Sequence, residues 1–138
     1  MQHEPRDVSY LWDILQASRD ALDFTRGVTL EAFRQDRQLQ RAVERTIEIV
    51  GEAASRVSAE LREEHPEIPW RKIIAQRNVL AHEYGDVEPG LVWDLVTDHL
   101  PSLVEQIEAL LPPPPVDPEG PEPAAVNAAI ADFLAGLR

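Results

Sequence analysis

The sequence contains no cysteine, which excludes a disulfide framework and a cysteine-type zinc site and calls for no oxidising compartment. Basic residues are the minority charge: 13 Lys plus Arg stand against 25 Asp plus Glu, for a net charge of -12. Up to Leu111 the counts are 12 basic and 21 acidic, and beyond it 1 and 4, so both parts are acidic. That excludes a uniformly basic nucleic-acid coat and leaves room only for a local basic patch. No uncharged apolar run approaches the ~20 residues needed to cross a bilayer. Residues 1–7 also lack the cationic-then-apolar order of a secretory leader. The expected location is therefore cytoplasmic. Glycine is scarce, six in 138 residues, which suits helices better than a turn-rich sheet.

What is present is helical spacing. From Val8 to about Arg26, Leu11, Leu15 and Leu22 recur beside Tyr10, Ile14, Ala17, Ala21 and Phe24. Gly27 then stands where the chain needs a left-handed residue, and Thr29 is placed to cap a short turn through Phe33. Val43, Ile47, Val50, Ala54, Val57 and Leu61 form one apolar stripe, predicting a long helix from Asp36 to Glu64. Beside it runs Ala42, Thr46, Ile49 and Ala53, a second small or apolar row suited to a subunit contact. Pro66 ends that helix, and Pro69 opens a third through Tyr84, closed by Gly85. A fourth runs from Glu88 or Pro89 to Leu111, carrying Leu91, Leu95, Leu100 and Leu103 among its apolar residues, with a bend expected at Pro101. The expected fold is all-α: a four-helix up-and-down bundle over residues 1–111, a proline-rich linker over 112–123 and an amphipathic helix over 124–138.

One segment has polar residues that folding does not require: Arg77-Asn78-Val79-Leu80-Ala81-His82-Glu83-Tyr84. At about 100° per residue, Arg77, Asn78, His82 and Tyr84 fall within an arc of about 160°. Asn78 and His82 are four apart, so the amide can orient the imidazole. A histidine titrating near neutrality exchanges protons while a guanidinium fork clamps phosphate. Together they suffice for phosphodiester cleavage without a metal. On spacing alone the commoner reading is structural, two side chains bonding neighbouring loops.

Residues 1–111 resemble the HepT family of HEPN-domain ribonuclease toxins, whose Arg-x4-His-x-Tyr motif is matched by Arg77, His82 and Tyr84. The runs Ile49-Val50-Gly51-Glu52-Ala53, His65-Pro66-Glu67-Ile68-Pro69-Trp70 and Leu91-Val92-Trp93 resemble the family in the same order. The resemblance implies a homodimer whose two motifs line one cleft, and a metal-independent RNA endonuclease with Arg77 and His82 catalytic; Tyr84 of the motif is supporting, as is Asn78 by its spacing to His82. It also implies a toxin–antitoxin module in which a minimal nucleotidyltransferase, similar to MntA, modifies Tyr84 with AMP. The alternative is a non-catalytic docking subunit for that transferase. Gly85-Asp86 departs from the apolar residue that often follows the family tyrosine, and the segment after Leu111 has no counterpart in the family pattern.

Candidate RNA contacts are Arg37, Arg41 and Arg45, with Arg34 before them, and Arg71 and Lys72 at the start of the motif helix. The competing reading is a solvated face carrying ion pairs from Glu44 and Glu48. His3, His65 and His99 are scattered without metal-ligand spacing, so neither a metal nor another cofactor is expected. Trp70 and Trp93 are expected as core or interface anchors. Val126, Ile130, Phe133, Leu134 and Leu137 give the last helix an apolar face that would dock on a neighbouring subunit or on the antitoxin; the competing reading is a disordered tail.

Overall fold

The structure is a computed structural model that describes residues 5–82, 88–112 and 123–137, with the side chains of 77–82 and 123–126 outside the description. The described residues are all-α, as expected. Helix α1 spans Pro5–Phe24, α2 Leu30–Gln35, α3 Arg37–Arg56, α4 Ala59–Glu64 and α5 Trp70–His82. A second run comprises α6 Pro89–Asp94, a π-helical turn Leu95–His99 and α7 Leu100–Leu110. Helix α8 follows at Pro123–Gly136.

Helix α3 is the centre of the bundle, packing along α1 on one side and α5 on the other, while α7 packs against α1. Its stripe explains why: Val43, Ile47, Val50 and Ala54 are all buried, and they meet Leu11, Ile14 and Leu15 of α1 and Ile107 of α7 in one core. Gly27 takes φ 73°, and the turn it makes lets Thr29 accept the Ala32 N–H at 3.1 Å and start α2.

The expected 36–64 helix is two helices. Asp36 does cap its start, accepting the Leu39 N–H at 3.0 Å. At Val57, however, the backbone turns extended (ψ 139°), and Ser58 caps α4 by accepting the Leu61 N–H at 3.2 Å. Buried Asp7 at the start of α1 holds this break: it accepts the Ser58 N–H at 2.8 Å and the Ser58 hydroxyl at 2.6 Å. An aspartate and a serine 51 residues apart thus lock α1 onto the α3–α4 corner.

The last helix of the bundle also departs from expectation. Proline at 101 supplies no N–H, and the turn before it widens, with the Leu100 N–H reaching back to Leu95 O. The Thr97 hydroxyl donates to Trp93 O at 2.9 Å. Leu91, counted above among the apolar residues of this helix, is 68% exposed and outside the core.

Candidate active site

Helix α5 carries the motif. Trp70 anchors its first turn: the ring is buried and its Nε1–H donates to His65 O at 2.9 Å. Ile73, one turn on, is buried against the bundle. The backbone of Arg77, Asn78 and His82 therefore lies on the last two turns of a helix held firmly at its N-terminal end. Their side chains, and Tyr84 altogether, lie outside the described residues, as does the expected continuation of this helix to Tyr84.

The chain resumes at Glu88, where α2 receives it. Arg34 Nη1 and Glu88 Oε1 pair at 2.5 Å. Gly90 leaves space for this clasp, since a Cβ there would come within 2.6 Å of the Glu88 carboxylate and 2.7 Å of the Arg34 guanidinium. The ring of Phe33 lies 5.3 Å from that of Trp93. Both ends of the 83–87 segment are thus tied to the bundle, one through α5 and the other through α2 and α6.

The Gly90 backbone amide, then the Arg34 guanidinium, hold the Glu88 carboxyl below its ordinary value of 4.5. A carboxylate whose folded value is depressed contributes stability above its unfolded value and loses it as pH falls through the folded one. Glu88→Gln is accordingly expected to destabilise the protein at pH 7, with the difference from wild type shrinking as pH falls below 4.5, read by urea titration across that range. A difference that does not shrink on acidification would contradict this role for the clasp.

Of the candidate RNA contacts, Arg41 and Arg45 are exposed but engaged, with Glu44 at 3.1 Å and Glu48 at 3.2 Å. Arg34 is committed to Glu88. Arg37, Arg71 and Lys72 are exposed and make no ion pair among the described residues. Exposed pairs of this kind are worth ~0–1 kcal/mol, so a phosphate can displace the glutamates at little cost. Half of the second row on α3 is consumed inside the chain, where Thr46 and Ala53 are buried. Ala42 and Ile49 of that row remain half-exposed.

Sequence reasoning missed a cleft of about 240 Å³ beside α5. Ile47 and Val50 of α3, Ile73 of α5, and Leu100 and Leu103 of α7 supply its apolar walls, with Glu67, Gln76, Asp98 and Gln106 among the polar residues lining it. The π-helical turn forms part of its edge through Leu95, Asp98 and His99. Gln106 Nε2 donates to Glu67 O at 3.1 Å, tying α7 to the chain entering α5. His65 Nδ1 lies 2.9 Å from Glu67 Oε1. A hydrogen bond from the backbone, then the His65 ring, keep Glu67 below the ordinary carboxylate range. Spacing of three and four marked each of these helices as apolar, but not the gap left between them.

An all-α bundle whose α5 carries Arg77 and His82 in its last turns, in a sequence that continues to Tyr84, fits the HEPN-like class. The family described as Ribonuclease HepT-like matches residues 14–110. This chain belongs to that family, the HepT-like ribonucleases. It is 39% identical over 101 residues to the "Probable ribonuclease HepT" of Thermococcus cleftensis, covering 73% of this chain and 92% of that one. It is 33% identical over 104 residues to MJ1380 of Methanocaldococcus jannaschii, named as a proposed RNase, covering 75% and 95%. A third relative with such a name, TTE0752 of Caldanaerobacter subterraneus subsp. tengcongensis, is 35% identical over 102 residues, covering 74% and 91%. No solved structure matches the chain significantly. No described helix is long and apolar enough to cross a membrane.

Proposed function

We propose that the protein is a metal-independent RNA endonuclease that acts as a cytoplasmic homodimer, the toxin of a two-gene module. The observation that carries the reading is the family match over 14–110, which contains the whole motif from Arg77 to Tyr84. A folded bundle alone has no need of that Arg, His and Tyr set.

In this reaction the His82 imidazole takes the proton of a ribose 2'-OH, and the 2'-oxygen attacks phosphorus. The bond from phosphorus to the 5'-oxygen breaks, the departing oxygen is protonated, and the products end in a 2',3'-cyclic phosphate and a 5'-hydroxyl. Arg77 balances the extra negative charge on phosphorus as the new bond forms. Where two motifs share a cleft, one imidazole serves as base and that of the partner's His82 as acid. Asn78 orients the ring, and Arg37, Arg41, Arg45, Arg71 and Lys72 contact flanking phosphates, concentrating the few cations of an acidic chain near the motif helix.

The partner is a nucleotidyltransferase that transfers AMP to the Tyr84 hydroxyl and silences the site. The test is cleavage of total RNA by the purified protein before and after incubation with such a transferase and ATP. Activity is expected to fall at least tenfold in wild type and to persist in Tyr84→Phe. Equal inhibition of both would remove Tyr84 as the modified residue, and purified wild type that leaves all RNA intact would remove the nuclease.

A further inference from the structure

Helix α8 presents an apolar face with nothing covering it. Ile130, Phe133, Leu134 and Leu137 are 53%, 67%, 56% and 69% exposed, and at about 100° per residue all four lie within an arc of about 100°. Exposed large apolar side chains gathered on one face of a helix mark a contact surface. The opposite face holds Ala128, Ala131, Asp132 and Ala135. The same chain also holds the cleft whose apolar walls are Ile47, Val50, Ile73, Leu100 and Leu103, with Glu67, Asp98 and His99 also lining it.

We infer that α8 folds back on its own bundle and seats Phe133 and its aliphatic neighbours in the α3–α5–α7 cleft. Size agrees: an apolar cavity of about 150 Å³ takes a benzene ring, so one of about 240 Å³ accepts the Phe133 ring and part of a neighbour. Reach agrees as well. The cleft residues Leu103 and Gln106 stand four to seven residues before the end of α7 at Leu110, roughly 6–10 Å along its axis. Residues 111–122 can extend to about 40 Å, several times what the return requires. A tether of a dozen residues keeps the helix beside its own bundle, so a contact within the chain competes well with one to another molecule.

Two further observations favour this occupant and this place. The tail lies outside the region that matches the family, which ends at residue 110. MJ1380 aligns over 95% of its length, leaving it far fewer residues than the 27 that follow Leu111 here. The helix is thus an addition beyond the family's matched region, tethered to it within this chain. Another depression of similar volume, about 230 Å³ between α1 and α3, is lined by Asp13, Glu52 and Arg56 along with Tyr10, Ile49 and Ala53. Charged side chains make up half of that lining, against Glu67, Asp98 and His99 among thirteen at the α3–α5–α7 cleft, so burial under an apolar face costs more there.

The full-length protein tests this by amide hydrogen exchange, comparing wild type with Phe133→Ser/Leu134→Ser, substitutions at exposed positions that leave the bundle core untouched. Amides of 127–137 are expected to exchange at least tenfold more slowly in wild type. The same rate in both overturns docking. Because the chain has no cysteine, Ser102→Cys at the cleft and Ala129→Cys on α8 supply the only two thiols for a bifunctional maleimide. Cross-linking within one chain is expected, at least tenfold more than with Asp13→Cys in place of Ser102→Cys. A product joining two chains, or equal yield from both positions, overturns the assignment to this chain's own cleft. Neither readout requires RNA cleavage, so the inference and the nuclease reading fail separately.

Discussion

Replacing His82 with alanine is expected to slow RNA cleavage by about 10²–10⁴-fold, the usual worth of a positioned acid or base. That corresponds to roughly 3–5 kcal/mol of barrier. His82 is the last residue of α5, and the helix is held from its other end by Trp70 and Ile73, so the variant is expected to keep its helical circular dichroism and its melting temperature. Arg77→Ala, removing the group that balances charge on phosphorus, is expected to cost about 10²–10³-fold by analogy with the loss of one oxyanion donor. Arg77→Lys restores only part, since an ammonium keeps the charge and loses the fork. Full-rate cleavage by His82→Ala would remove the imidazole from the mechanism.

The largest expected effect on stability comes from Phe33→Ala, at about 3–5 kcal/mol. Phe33 is fully buried in α2 and packs its ring against Trp93 of α6, so truncation leaves a cavity between two six-residue helices with few other contacts to share the load. Domains of this kind are stable by only ~5–15 kcal/mol, so one substitution removes a large share. Phe33→Leu keeps much of the volume and is expected to cost about 1–1.5 kcal/mol. Urea titration followed by circular dichroism measures both, as a lower midpoint at unchanged slope. A loss under 1 kcal/mol in the alanine variant would mean that α2 and α6 are not held through this ring. The same pair positions Arg34 and Glu88, so Phe33→Ala is also expected to loosen the chain leaving the motif segment.

The α3 stripe was legible because each apolar residue in it is buried, through to Val57 and Leu61. The break at Val57 was not, because the three-and-four spacing carries on across it while the backbone turns. What turns the chain is Ser58, read by Asp7 from 51 residues away, and no local window contains both. The π-helical turn escaped for a related reason. Pro101 signals a missing donor, but the widened turn that accommodates it depends on what packs there, and Val96 and Leu100 stay buried with it. Leu91, one of the apolar residues of that run, is exposed because the buried stripe follows Val92, Val96, Leu100, Leu103 and Ile107. At the site, residue types and order identified the motif and its helix. The Arg34–Glu88 clasp and the cleft beside Gln76 come from tertiary packing, which spacing along one helix does not encode.

In the proposed reaction His82 and Arg77 of the paired motifs cleave RNA without a metal ion. End-group analysis of RNA cut by the purified protein in excess chelator tests it most directly. The account predicts undiminished cleavage that leaves 2',3'-cyclic phosphate and 5'-hydroxyl ends and is lost in His82→Ala. Cleavage that stops on chelation and returns with magnesium, leaving 5'-phosphate and 3'-hydroxyl ends, would contradict it.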